Sequence, residues 1–171
     1  MIINGNALLK AAPIKGMLTE KVSQHGVSHG LAEVGYDIRI KQAVKFTSRQ
    51  SKNSDRVITV QLIDEGFLGF EIASRFTLAS AIEEFDMPND LMGVVHDKST
   101  WARQGLSVFN TVIEPGWKGF LTLELVYHGN KDLIIPAYAG IAQVVFHKIS
   151  EPRAYEGKYQ NQENKPVPAR S

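Results

Sequence analysis

Hydrophobic and polar residues alternate along most of the chain in short runs that are rich in β-branched and aromatic side chains. Alternation with a period of two places successive side chains on opposite faces, as in a strand with one buried face. The runs are GYDIRI, AVKFTS, RVITVQLI, FLGFEIAS, LMGVVH, LSVFN, FLTLELVYH, LIIPAY and IAQVVFHKI. Many short strands at close spacing predict an all-β fold, a distorted jelly-roll or β-barrel with few short helices.

Helical patterns are scarce. Asn6 followed by ALLKA predicts a short capped helix near the N-terminus. The run KSTWAR, between Asp97 and Gln104, predicts a helical turn between two strands. The stretch from Gln24 to Gly30 is rich in glycine, histidine and serine, so we expect a loop with solvated histidines there.

A chain of 171 residues with 43% hydrophobic content is long enough to bury one core. We expect a β domain over residues 1–150 and a C-terminal tail over 151–171. The tail is polar and has prolines at 152, 166 and 168, which argues against regular structure within it.

Charge and cysteine content narrow the function classes. The 19 basic residues nearly balance the 18 acidic ones, so the chain lacks the basic excess expected of a nucleic-acid partner. Cysteine is absent, which excludes disulfides, thiolate nucleophiles and zinc sites built on sulfur. No targeting leader or apolar run of membrane-spanning length is visible, and we expect a cytoplasmic protein without a membrane partner.

One carboxylate interrupts the apolar strand that begins at Phe120. Alternation places Phe120, Thr122, Glu124 and Val126 on one face, and Leu121, Leu123, Leu125 and Tyr127 on the other. A carboxylate at position 124 is costly to desolvate, so it should be paired, exposed on an edge, or raised in pKa for proton transfer. Structural and catalytic interpretations both stay open on this feature alone.

The KSTWARQG segment carries groups that suit an anion. Lys98, Ser99, Thr100 and Arg103 follow a strand closely, and backbone N–H groups, hydroxyls and a guanidinium together match phosphate oxygens. The alternative is a solvated polar turn with Trp101 packed inward.

Two further segments have weaker signals. EPGW at 114–117 is typical of a type I or type II turn. KYQNQ at 158–162 offers a cation, a phenol and amides, which suits either a lid or an ordinary polar tail. The histidines at 25, 29, 96, 128 and 147 lack metal-ligand spacing, and the HxE and PCxxC signature of zinc-dependent base deaminases is absent.

Taken in order, KSTWARQGL, IEPGWKGFLTLEL, GIAQVVF and YEGKYQNQ resemble the dCTP deaminase branch of the dUTPase-like superfamily. The resemblance runs from about Gly35 to Gln162, with GYDIRI similar to the family's early strand. It implies a homotrimer of distorted jelly-roll subunits with active sites at the subunit interfaces. It also implies a C-terminal segment that closes over the nucleotide.

The resemblance assigns roles residue by residue. Ser99 and Arg103 handle the triphosphate and the reacting water, and Glu124 is the proton shuttle. Glu114 holds the deoxyribose hydroxyl. The remaining substrate-binding positions that it implies are Lys98, Thr100, Trp101, Ala102, Thr122, Leu123, Gln143, Tyr155, Lys158 and Gln162.

The implied reaction is zinc-independent hydrolytic deamination of dCTP to dUTP and ammonia, in pyrimidine deoxynucleotide biosynthesis. Mg²⁺ is carried by the triphosphate with no metal site on the protein, and dTTP is a candidate inhibitor. The alternatives are a bifunctional enzyme that continues to dUMP, a dUTPase, and a non-catalytic nucleotide-binding module.

Two departures from the family pattern bear on these alternatives. Glutamate stands before Pro115 where aspartate is usual, and it is longer by one methylene group. The LSVFNTVIEPGW segment is short, with Asn110-Thr111 where many relatives carry a histidine-threonine-alanine run, and it is closer to the bifunctional type. A glycine-rich arm typical of dUTPases is absent, since the tail has only Gly157.

Overall fold

Short antiparallel strands are the main elements of the chain in the computed structural model, which describes residues 1–51, 53, 55–109 and 112–170. The strands are β1 (Ile2–Ile3), β2 (Lys21–Gln24), β3 (Val27–Leu31), β4 (Tyr36–Arg39), β5 (Ala43–Gln50), β6 (Arg56–Asp64), β7 (Phe67–Leu68), β8 (Ile72–Ala73), β9 (Phe76–Asp86), β10 (Leu91–Asp97), β11 (Leu106–Phe109), β12 (Val112–Ile113), β13 (Lys118–Tyr127), β14 (Leu133–Ile135) and β15 (Gly140–Lys148). Two helices accompany them, α1 (Gly5–Ala11) and α2 (Ser99–Ala102). The predicted all-β class with few short helices is confirmed.

The strands form three sheets. The largest has the order β12-β10-β15-β4-β3-β2, with β1 added on β15. The second is β11-β13-β9, and the third is β14-β5-β6-β7 with β8 also on β6. Among the described strand pairs these sheets stay open, so the architecture is sandwich-like rather than one closed barrel.

The core lies between the inner faces of these sheets. Leu123 and Leu125 of β13 are fully buried, as the alternation predicts. Phe46 packs against Tyr127 with ring centroids 5.1 Å apart, which joins the third sheet to the second. The outer face of β13 is therefore the face available for a site.

Several local predictions were wrong. The N-terminal helix begins at Gly5 with Asn4 as its N-cap, not Asn6, and Asn4 uses its side-chain amide to bond Glu33 O instead. The expected loop from Gln24 to Gly30 is part of the β2–β3 hairpin. His25 and Gly26 both have positive φ, as a two-residue hairpin turn requires.

The longest strand, β9, was not predicted from the sequence. The FLGFEIAS run, in contrast, contains only the two-residue strands β7 and β8. The interior helical turn is confirmed as α2, and residues 151–170 contain neither helix nor strand, as expected. Neither helix of the described chain is long and apolar enough to cross a membrane.

Candidate active site

A cavity of about 730 Å³ opens over the outer face of the β11-β13-β9 sheet. Strand side chains, the EPGW turn and the C-terminal tail all contribute to its wall. The lining residues are Phe76, Leu78, Val112, Ile113, Glu114, Trp117, Leu121, Thr122, Glu124, Tyr155, Tyr159, Gln162, Val167, Pro168 and Ala169. The volume falls within the range of small-molecule sites, and its apolar wall with a few polar groups is typical of them.

Glu124 lies in the middle of this wall. It pairs in register with Leu78 of β9 and Phe109 of β11, so its strand is central in the sheet rather than an edge. Its side chain is exposed in the single chain. The sequence allowed Glu124 to be paired, exposed on an edge, or raised in pKa, and the structure shows it exposed. The exposure arises from an open cavity rather than from a sheet edge.

The EPGW segment forms a tight turn that presents Glu114 to the cavity. Trp117 N donates to Glu114 O at 3.2 Å, and Gly116 has φ of 71°, as a type II turn requires. A side chain at position 116 would also lie 2.7 Å from Asn89 Oδ1 and 3.0 Å from Ala154 Cα. Glycine is thus needed here both for its backbone conformation and for close packing of the tail.

The tail is attached to the turn by backbone and side-chain hydrogen bonds. Tyr155 N donates to Pro115 O at 2.8 Å, and the Trp117 indole donates to Tyr159 O at 2.7 Å. The Gln160 amide donates to Gly116 O at 2.9 Å. These bonds place Tyr155 and Tyr159 on the cavity wall.

Gln162 joins the tail directly to β13. Its backbone O accepts from Phe120 N at 3.0 Å, and its side-chain amide donates to Phe120 O at 3.0 Å and to Thr122 Oγ1 at 2.7 Å. Val167 N donates to the same hydroxyl at 3.1 Å. Thr122 and Gln162, both predicted site residues, are therefore in direct contact two residues from Glu124.

Lys158 is exposed beside the cavity. Its ammonium group lies 5.5 Å from the ring centroid of Tyr159, and Arg170 covers the same ring at 5.7 Å. Arg170 also donates to Lys158 O at 2.6 Å, and Lys158 Nζ donates to Arg170 O. These contacts fold the end of the tail back over the cavity.

The α2 turn lies outside this cavity. Ser99, Thr100, Ala102 and Arg103 are exposed, whereas Trp101 is buried and donates from its indole to Gly140 O at 2.7 Å. None of the described residues that line the cavity comes from α2.

The predicted site residues consequently fall into two groups. The cavity group consists of Glu114, Thr122, Glu124, Tyr155 and Gln162, with Lys158 nearby. The turn group consists of Lys98, Ser99, Thr100, Trp101, Ala102 and Arg103, with Gln143, which pairs with Asp37 of β4 beside Lys98. Leu123 belongs to neither group, because its side chain is buried in the core.

Two buried polar residues near α2, Asp37 and His29, were not identified from the sequence. Asp37 is 2% exposed and accepts from Lys98 Nζ at 2.5 Å and from Ser28 Oγ at 2.8 Å. His29 is buried as well, contrary to the expectation of a solvated loop histidine. Burial lowers the pKa of His29, and the charges of Arg39 and Lys98 lower it further, against the opposing effect of Asp37. Alternation in GYDIRI places Asp37 on the same face as Arg39 and opposite Tyr36 and Ile38, so it did not predict the burial of Asp37.

The described residues contain no group of three or more His, Cys, Asp or Glu side chains arranged to hold a metal ion. His128 instead contacts Ser107 Oγ through Nε2 at 3.1 Å. The polar groups of the cavity wall are carboxylates, hydroxyls and amides, which suit hydrogen bonding to a polar ligand and proton transfer.

The class of fold is clear from a comparison with solved structures. The chain is similar to native EIAV dUTPase, with a TM-score of 0.50 and 15% identity over 83% of this chain and 94% of that one. At this identity the likeness shows the fold alone, which is dUTPase-like.

Sequence comparisons identify the family. A family model described as dCTP deaminase-like matches residues 5–149. The dCTP deaminase of Acidobacterium capsulatum is 34% identical over 98% of this chain and 99% of its own length. Those of Campylobacter fetus and Helicobacter pylori are each 36% identical, over 91% and 90% of this chain and 88% of their own lengths. The chain belongs to the dCTP deaminase-like family, as the ordered motifs indicated.

Proposed function

We propose that this chain is a dCTP deaminase that hydrolyses dCTP to dUTP and ammonia. The observation that carries the proposal is Glu124, which stands on the wall of a nucleotide-sized cavity beside Thr122, Gln162 and Glu114. The full-length similarity to dCTP deaminases supports it. Because the chain has no cysteine, the cysteine-bound zinc site of other base deaminases has no ligands here.

In the proposed reaction Glu124 accepts a proton from a water molecule, and the hydroxide attacks C4 of cytosine. The new C–O bond makes C4 tetrahedral, and the electron pair of the C4=N3 bond takes up at N3 the proton that Glu124 received from water. Glu124 then accepts the proton of the C4 hydroxyl and delivers it to the amino nitrogen, the C4–N bond breaks, and ammonia leaves as the C4 carbonyl forms. Ser99 hydrogen-bonds the reacting water, and Glu114 holds the deoxyribose hydroxyl.

We further propose a homotrimer in which one subunit supplies the Glu124 cavity and a neighbour supplies the α2 turn. The separation of the two residue groups within one chain supports this arrangement. The outer sheet face around Glu124 also leaves Phe76 46% and Phe109 53% exposed, and a neighbouring subunit would cover them. Coverage would remove Glu124 from bulk water, which favours proton transfer.

The triphosphate would enter as its Mg²⁺ complex, with Arg103 and Lys158 neutralising part of its remaining charge. The tail would act as a lid over the bound nucleotide. Since deoxynucleoside triphosphates are cytoplasmic metabolites, we place the reaction in the cytoplasm. dTTP, which differs from dUTP by one methyl group, is a candidate inhibitor of the same site.

Product analysis tests the proposal. Purified protein incubated with dCTP and Mg²⁺ is expected to release dUTP and ammonia in equal amounts. Formation of dUMP and pyrophosphate from dCTP would instead identify the bifunctional enzyme. The Asn110-Thr111 segment that favours this alternative lies outside the described residues. Hydrolysis of dUTP without any action on dCTP would overturn the proposal, and binding of dCTP without turnover would indicate a non-catalytic module.

A further inference from the structure

A buried ion pair ties the α2 turn to strand β4. Asp37 is 2% exposed and the Lys98 side chain is 11% exposed, so both charges are largely removed from water. The Lys98 ammonium group donates to Asp37 Oδ2 at 2.5 Å and to Ser28 Oγ at 3.1 Å. A buried charge of this kind is strongly destabilising when its partner is removed.

Lys98 is also the residue from which α2 begins. Its backbone carbonyl accepts from Trp101 N and from Ala102 N, both at 3.0 Å, so the position of Lys98 sets the position of the turn. A helix of four residues is too short to be stable alone, and its geometry must come from tertiary contacts. The ion pair with Asp37 and the indole bond from Trp101 are two of those contacts.

We propose that Asp37 is a positioning residue that acts through Lys98 to orient the α2 turn, and with it Ser99 and Arg103. The expected effect on catalysis rests on the proposed function. The expected effect on the position of the α2 turn does not. Lys98 is then a counter-ion inside the fold rather than a direct phosphate ligand. Neutralising Asp37 distinguishes these two roles of Lys98. If Lys98 is a counter-ion, activity should fall because the α2 turn loses its position. If Lys98 is a phosphate ligand, its release from the carboxylate should leave triphosphate binding at least as strong.

The chain offers a matched control. Glu83 of β9 is also a buried carboxylate, 5% exposed. It accepts a 2.8 Å hydrogen bond from Nε of Arg39, which lies on β4 with Asp37. Its ion pair does not include α2. Glu83→Gln therefore measures the general cost of removing a buried charge near β4, and Asp37→Asn measures the same cost plus any effect on the turn.

The structural consequence is tested by fluorescence, without any assay of activity. Trp101 and Trp117 are the two tryptophans, so in a Trp117→Phe background the emission reports on α2 alone. Asp37→Asn and Lys98→Met are both expected to increase the quenching of Trp101 by acrylamide about threefold or more, because the indole loses its fixed burial. Glu83→Gln is expected to leave the quenching unchanged.

The catalytic consequence is tested by a double-mutant cycle. Asp37→Asn and Lys98→Met are each expected to lower kcat/KM for Mg–dCTP about 10- to 100-fold. The double variant is expected to be no worse than either single one, and Glu83→Gln is expected to change kcat/KM less than threefold. If the parent enzyme did not deaminate dCTP, the proposed function would fail while the fluorescence test still decided the role of Asp37.

Additive effects in the cycle, or loss of nucleotide binding in Lys98→Met but not in Asp37→Asn, would overturn the inference in favour of a direct phosphate contact. Unchanged Trp101 quenching in both variants would overturn it as well. Should Asp37→Asn fail to fold, Ser28→Ala removes both hydrogen bonds of the Ser28 hydroxyl, the one donated to Asp37 and the one accepted from Lys98. It is expected to shift quenching and kcat/KM in the same direction by about two- to fivefold.

Discussion

The side-chain amide of Gln162 donates a 2.7 Å hydrogen bond to the hydroxyl of Thr122, two positions along the strand from Glu124. The tail is thereby fixed to the strand that carries the proposed proton shuttle. A second bond, to Phe120 O, uses the other amide hydrogen.

Gln162→Ala should release the tail. Two neutral hydrogen bonds contribute about 1 kcal/mol each, so the tail is expected to open roughly tenfold or more often. Tryptic cleavage after Lys158 should accelerate by that factor, and the KM for dCTP should rise. Gln24→Ala on the exposed strand β2 serves as the control and should change neither the cleavage rate nor the KM for dCTP. Equal cleavage of both variants would mean that the bond to Thr122 does not hold the tail.

Gly119→Ala should displace the tail by steric conflict. Gly119 has φ of 129°, and an added Cβ would lie 2.5 Å from Gln162 N. We expect lower thermal stability and at least about a tenfold loss of kcat/KM. Gly66→Ala is the matched variant, because Gly66 also has positive φ, at 82°, but its added Cβ would meet open space. Comparable losses in both would show that backbone strain, rather than contact with the tail, is responsible.

Phe109→Lys should separate the proposed subunits. Phe109 lies beside Glu124 in register and is exposed in the single chain, so a neighbour in the trimer would cover it. Burying an unpaired ammonium group there is unfavourable, and we expect smaller particles by light scattering with about tenfold or greater loss of activity. Phe109→Leu keeps the apolar contact and should remain trimeric. A fully trimeric and active lysine variant would exclude this face from the interface.

Buried His29 should make the protein less stable in mild acid. Its folded-state pKa is lowered from 6.5 by burial, so below that pH the unfolded chain takes up a proton that the folded chain does not. Stability is expected to fall as pH decreases through 6.5 and to stop falling, for this group, below its folded pKa. Melting temperatures between about pH 7.5 and about pH 5.5 should decrease less in His29→Gln than in the parent protein.

His25→Gln is the corresponding control, since His25 is exposed in the hairpin turn next to His29. It should retain the parent protein's pH dependence. An identical pH dependence in His29→Gln and in the parent would remove His29 as the cause of the acid sensitivity.

The parts of the fold that followed from the sequence are those in which one physical signal dominates. Alternation located β13 and placed Leu123 and Leu125 in the core, and proline and glycine located the turn at Pro115. Strand β9 was not predicted because it carries serine and two adjacent glutamates, and because its pairing partner β13 is distant in the chain. Glu83 is buried there and forms an ion pair with Arg39, 44 positions earlier in the chain.

The candidate site was predicted as a set of chemical groups but not as an arrangement. The prediction that the α2 turn binds an anion came from residue types, whereas the placement of α2 outside the Glu124 cavity depends on the topology of three sheets. The partner of Lys98 was also hidden, because Asp37 is 61 positions away and the two meet only through the pairing of β4, β15 and β10. Local patterns carry no information about such long-range pairs.

Turnover of dCTP by Glu124→Gln is the most direct test of the account, with Glu84→Gln on neighbouring strand β9 as the control. The amide keeps the shape of the side chain but cannot accept the proton of water. Ammonia release should therefore fall about 10²- to 10⁴-fold while the Kd for Mg–dCTP stays within about threefold. Near-normal ammonia release by Glu124→Gln would contradict the account, because proton transfer would then belong to another group.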